Sequence, residues 1–112
     1  MTRARLCPLA DIADGESNGF VVTRPGGERV AVLAVRRGAQ VFAYVNSCPH
    51  TGAPLDFLPG VFLTLDKTLI QCATHGALFR IEDGFCIKGP CARKSLVPVA
   101  VVVEDGTVHL SG

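Results

Sequence analysis

The 112-residue chain is 48% hydrophobic and 19% charged, with 12 Gly, 7 Pro and no Trp, the make-up of one globular domain rich in turns rather than of a disordered segment or a helical bundle. Its 11 basic and 10 acidic residues leave a net charge of +1, which argues against a nucleic-acid binder with its basic stripe. No apolar run approaches the roughly 20 residues of a bilayer span, and the first eight residues lack the apolar core of a secretory signal.

Short β-like runs separated by turn residues follow one another along the chain. Cys7 falls in a first strand. Residues 20–23 end at Arg24-Pro25-Gly26-Gly27, 30–35 at Arg36-Arg37-Gly38, and 41–45 at Asn46-Ser47, which predicts three antiparallel strands in a meander. Segment 46–60 carries Pro49, Gly52, Pro54, Pro59 and Gly60 and reads as loop. Strands return at 68–71 and 77–81. Glu82-Asp83-Gly84 predicts a hairpin turn, 85–87 the returning strand, and Lys88-Gly89-Pro90 its stop. The mostly apolar run 97–103, with Pro98 at its start or on an edge, leads through Glu104-Asp105-Gly106 to a last strand, 107–110, whose alternation turns His109 toward solvent. No stretch of helical length shows a 3.6-residue period. The expected fold is all-β: an antiparallel sandwich or barrel base carrying a small β insert, one domain over 1–112 with the insert at about 46–91.

Without an export signal the chain is expected in the cytoplasm, where five cysteines are ligands or thiols before they are disulfides. Four strong metal-binding side chains fall in two tight groups, Cys48-Pro49-His50 and Cys72-Ala73-Thr74-His75. In extended backbone, residues two apart point the same way about 7 Å apart, so Cys48 and His50 can converge on one inorganic core. Cys72 and His75, three apart, meet only through a turn, which Gly76 permits. Two thiolates with two imidazoles suit zinc or a mixed-ligand [2Fe–2S] cluster and disfavour calcium or magnesium. Zinc sites commonly pair like with like, whereas each group here runs Cys then His.

The stretches Cys48-Pro49-His50-Thr51-Gly52-Ala53-Pro54-Leu55 and Cys72-Ala73-Thr74-His75-Gly76-Ala77-Leu78-Phe79 resemble the two boxes of Rieske-type [2Fe–2S] ferredoxins. Gly84 and Lys88-Gly89-Pro90 match the hairpin and proline loop that follow. The resemblance extends over most of the chain. It implies that Cys48 and Cys72 bind one iron, that His50 and His75 bind the other through Nδ1, and that Gly89-Pro90 covers the cluster. Segment 51–71 is longer than usual in such ferredoxins, and its excess is expected around 57–62. Ala53 and Thr74 stand where respiratory Rieske proteins carry a disulfide. Ala77 and Phe79 replace the hydroxyl residues of high-potential relatives, so the midpoint potential is expected low in the Rieske range, near roughly −150 mV rather than +300 mV.

The implied function is one-electron transfer from a flavoprotein reductase to a terminal oxygenase or other redox enzyme. Small subunit of a nitrite-reductase-like enzyme, or a redox-sensing module, is the alternative. Beyond His50 and His75 only His109 remains, too few histidines for the second iron site of a Rieske oxygenase, so the chain is expected to be an electron carrier and no enzyme by itself. Cys7, Cys86 and Cys91 are expected as small buried side chains, a Cys86–Cys91 pair being the alternative. Phe42, Phe79 and Phe85 belong to the expected core. Leu55, Phe57 and Leu58 are candidates for an apolar docking rim, with Lys88, Arg93 and Lys94 steering a partner.

Overall fold

The computed structural model describes residues 5–23, 26–47, 55, 62–64, 66–72, 76–89 and 94–110. In chain order these form β1 (Arg5–Pro8), a 3₁₀ turn (Leu9–Asp11), β2 (Ser17–Thr23), β3 (Arg29–Arg37), β4 (Gln40–Val45), β5 (Leu69–Gln71), β6 (Leu78–Arg80), β7 (Cys86–Lys88), β8 (Pro98–Val99), β9 (Val101–Glu104) and β10 (Thr107–Leu110). Three antiparallel sheets result, in the orders β1-β10-β9, β2-β3-β4-β8 and β5-β6-β7. The expected all-β architecture is what the chain adopts.

β3 is the middle of the molecule. A strand's side chains alternate between faces. Val30, Val32 and Ala34 pack on one side with Cys7, Ile12, Ala43 and Val108, under the β1-β10-β9 sheet. Leu33 and Val35 pack on the other side with Phe62, Ile70, Phe79, Ile81 and Leu96. The valine-rich run 30–35 thus serves two cores at once, which is why its apolar residues are nearly continuous rather than alternating.

Arg36 and Arg37 tie neighbouring parts of the chain together rather than simply ending a strand in water. The Arg36 guanidinium donates to the carbonyls of Ile12 at 3.0 Å and Gly38 at 2.7 Å, fastening the 3₁₀ turn to the β3–β4 turn. Arg37 pairs with Glu82, in the turn between β6 and β7. The run 97–103, expected as one strand, is instead divided at Ala100. Pro98–Val99 closes the edge of the β2-β3-β4-β8 sheet, and Val101–Glu104 joins the other. Asp105 and Gly106 both take positive φ, 52° and 71°, as a two-residue hairpin turn between β9 and β10 requires.

His109 departs from expectation. It lies between Arg5 of β1 and Val102 of β9. Its ring is half-buried, with Nδ1 shut off from solvent and unpartnered among the described residues. Alternation assigned it the face opposite Val108 but could not foresee neighbouring strands on both sides.

Candidate metal centre

β5 and β6 are short, and the described residues at the two ends of their connection hold each other. The Cys72 amide donates to the Ala77 carbonyl at 2.9 Å, and the Gly76 amide donates back to the Cys72 carbonyl at 2.8 Å. Gly76 sits at φ +69°, a conformation that side chains with a Cβ resist. Cys72 is fully buried and in no disulfide, and Ala77 and Phe79 are equally inaccessible.

Gly89 approaches the same turn from the end of β7. It takes φ +100°, and a Cβ placed there would lie 2.7 Å from the Ala77 Cα. Two backbones therefore touch where the second box meets the Gly-Pro loop. Only glycine permits that approach. Cys86, just upstream, is buried and reduced, its Sγ donating to the Lys88 carbonyl at 3.2 Å. It is a core thiol, as expected, and so is Cys7, whose titration burial pushes upward, with Asp11 adding to the effect.

The far end of the β6–β7 hairpin is bolted to the middle sheet. Tyr44 on β4 donates its hydroxyl to the Ile81 carbonyl at 2.7 Å. Its ring packs so closely on Gly84 that a Cβ there would come within 2.8 Å of Cε1. Asp83 accepts from the Phe85 amide and the Arg80 guanidinium, both at 3.0 Å, and Arg80 in turn lies 5.1 Å over the Phe85 ring. The Arg80 hydrogen bonds hold the Asp83 carboxyl below its ordinary range.

Burial, followed by the negative charges of Asp83 and Glu82, pushes the Tyr44 phenol up to about 12. Tyr44 is the chain's single tyrosine, so phenolate absorbance near 295 nm, read as a difference spectrum, reports it alone. The native protein is expected to show almost no phenolate at pH 10.5, where the unfolded chain is largely ionised. A folded pKa above the unfolded value means the native state binds more protons over that interval. The phenol's stabilisation is therefore complete below pH 10 and is lost as the pH climbs from 10 toward 12. Ordinary ionisation near pH 10 in the native protein contradicts this environment.

Cys72 is the one expected ligand among the described residues. Cys48, His50 and His75 lie outside them, as do Pro90, Cys91, Arg93, Phe57 and Leu58. Accordingly, no three His, Cys, Asp or Glu side chains gather into a metal-sized group among the described residues. The residues that are described fit a sulfide cluster: a buried thiol on a glycine-shaped turn, apolar Ala77 and Phe79 around it, and a second backbone brought in at Gly89.

Leu55 corrects one expectation. It is fully buried in the core with Phe62, Ile70 and Cys72, so it anchors the end of the first box and does not rim a docking face. Its amide donates to Asn46 Oδ1 at 2.8 Å. Reading by residue type passed over Asn46 and Tyr44, because neither belongs to a ligand pattern. Their only signal was position, on either side of the point where β4 gives way to the first box. Lys88 and Lys94 are exposed.

Comparison with known proteins agrees with the geometry. The profile described as Rieske [2Fe-2S] domain matches residues 2–107. Ferredoxin CarAc of Metapseudomonas resinovorans is 32% identical over 111 residues, spanning 96% of this chain and 92% of that protein. The solved Sphingomonas yanoikuyae B1 ferredoxin is 28% identical at a TM-score of 0.77, with 99% of both chains covered. In a structure described as the complex of reduced oxygenase and oxidized ferredoxin in carbazole 1,9a-dioxygenase, the matching chain is 29% identical at a TM-score of 0.73, covering 96% of this chain and 91% of that one. The chain belongs to the Rieske [2Fe-2S] domain family, and is a ferredoxin-type one-electron carrier whose cofactor is a Rieske [2Fe–2S] cluster.

Proposed function

We propose that Cys48 and Cys72 hold one iron of the cluster, that His50 and His75 hold the other, and that the carrier passes its electron from a flavoprotein reductase to a terminal oxygenase. The buried Cys72 thiol on its glycine turn is the observation that supports this ligand set best. For the partner, support comes from the relatives: one is named as a ferredoxin, and another was solved in complex with the oxygenase of carbazole 1,9a-dioxygenase. A ring-hydroxylating oxygenase for aromatic substrates is the class of acceptor proposed here. The chain works as one domain, 1–112, with the cluster held by about 46–91, and operates in the cytoplasm; no helix among the described residues is long and apolar enough to cross a membrane.

When bound, the cluster supplies reversible one-electron chemistry at iron. The protein's part is to keep that group dry, fix its two imidazoles and present them to a partner. Ala77 and Phe79 are fully buried and offer no hydroxyl, so a midpoint potential in the low part of the Rieske range is expected. A voltammetric value well above zero contradicts this. One added electron also raises the proton affinity of the two ligand imidazoles. The potential is therefore expected to fall as pH rises through their oxidised-state titration. The direct test mixes the purified carrier with a flavoprotein reductase, NADH and an aromatic-ring dioxygenase. Turnover that depends on the carrier supports the assignment; a carrier that the reductase reduces but the oxygenase never reoxidises sinks it.

A further inference from the structure

Cys48 and His50 lie in the sequence between two residues that are fixed in different ways. Asn46 is anchored through its backbone: its amide donates to the Ala31 carbonyl of β3 at 2.9 Å, continuing the middle sheet past the end of β4. Leu55 is anchored through its side chain, which is fully buried in the core with Ile70 and Cys72. The Asn46 carboxamide joins the two, its Oδ1 accepting from the Leu55 amide at 2.8 Å. Cys48 and His50 both fall inside the loop so closed.

The choice of side chain has a physical reason. Leu55 belongs to no strand, so no sheet carbonyl is at hand for its amide, and a buried amide with no acceptor is costly. A side-chain amide oxygen supplies the acceptor. Closing the loop at its stem also removes conformational freedom before any ligand is engaged, which favours the geometry of a bound group over an open chain.

We infer that Asn46 is a positioning residue for the cluster: by pinning Leu55 to the end of β4 it closes the loop that presents Cys48 and His50. The inference rests on the ligand set proposed above. Its signature is a weakened hold on iron without a weakened base sheet.

The test compares the holoprotein with Asn46→Ala and Asn46→Asp, the latter keeping an oxygen acceptor at the same reach. Three measurements are made: release of iron to a chelator, line widths of the reduced paramagnetic spectrum, and amide exchange in β2–β4. The alanine variant is expected to release iron about tenfold faster, the equilibrium worth of one hydrogen bond. Its reduced signal should be broadened, with exchange in β2–β4 unchanged. The aspartate variant should recover most of the parent's lifetime at neutral pH. If the alanine variant does not accumulate, Asn46→Ser replaces it, with lifetimes expected to fall in the order Asn, Asp, Ser. An alanine or serine variant as long-lived as the parent overturns the inference. So does an aspartate variant as labile as alanine, or faster release matched by faster exchange throughout β2–β4. A parent protein that holds no iron overturns the ligand set instead.

Discussion

Replacing Cys72 by alanine is expected to give a colourless protein with less than a tenth of the parent's iron. Cys72 is fully buried and sits at the stem of the turn closed by its own amide and the Ala77 carbonyl. A mixed-ligand cluster short of one thiolate has no other sulfur donor of suitable geometry among the described residues, since Cys86 is turned to the Lys88 carbonyl and Cys7 belongs to the opposite core. The controls are Cys7→Ala and Cys86→Ala. Each deletes a buried sulfur, should cost about 1–2 kcal/mol of stability, and should leave the red-brown absorption intact. Iron assay and visible spectra of the three variants decide the matter. A fully loaded Cys72→Ala protein would falsify the ligand set, and a colourless Cys86→Ala protein would reassign it.

The second large effect belongs to Gly89. A methyl group there would stand 2.7 Å from the Ala77 Cα on a backbone at φ +100°. Neither contact partner is the movable end of a long side chain, so two backbone segments must separate. A loss of roughly 3 kcal/mol or more is expected, from backbone strain and overpacking together. Gly106→Ala is the comparison that separates these two causes. Gly106 also has positive φ, at 71°, but nothing lies within 4 Å of its absent Cβ, so only conformational strain of about 1 kcal/mol remains. Denaturant midpoints of the two variants should differ clearly, with visible absorption falling in Gly89→Ala alone. Equal midpoints would show that Gly89 and Ala77 do not touch in solution.

The meander of β2, β3 and β4 was legible because each run is apolar, rich in valine and bounded by turn residues. The β6–β7 hairpin was legible from Glu82-Asp83-Gly84, whose glycine does take positive φ. By contrast, the split of 97–103 between two sheets leaves no periodic trace. All its side chains but Pro98 and Ala100 are valines, and they look alike whichever sheet they join. Leu55 was misjudged for a related reason. A leucine in a proline-rich loop gives no local sign of whether it turns inward, and that is settled by Phe62 and Ile70 arriving from elsewhere in the chain.

The site divides in the same way. Ligand types and their order along the chain are chemical facts of the sequence, so both boxes could be read without coordinates. The contacts that shape the turn are not. Gly89 against Ala77, Tyr44 against Gly84 and Asn46 to Leu55 join residues that no local pattern relates. They become visible only when three sheets are placed together.

The position of β3 between two cores has a consequence for anyone wishing to transplant this redox unit. Leu33, Val35, Tyr44 and Leu96 supply one wall of the compartment that also encloses Cys72, Ala77 and Phe79. A graft of the two boxes and their hairpin onto a foreign scaffold would arrive with that wall missing and its greasy interior open to water. A recipient must therefore offer a strand already covered on its reverse side, with branched aliphatics at matching alternate positions and a phenol to meet the Ile81 carbonyl. The portable unit is the boxes together with the strand beneath them.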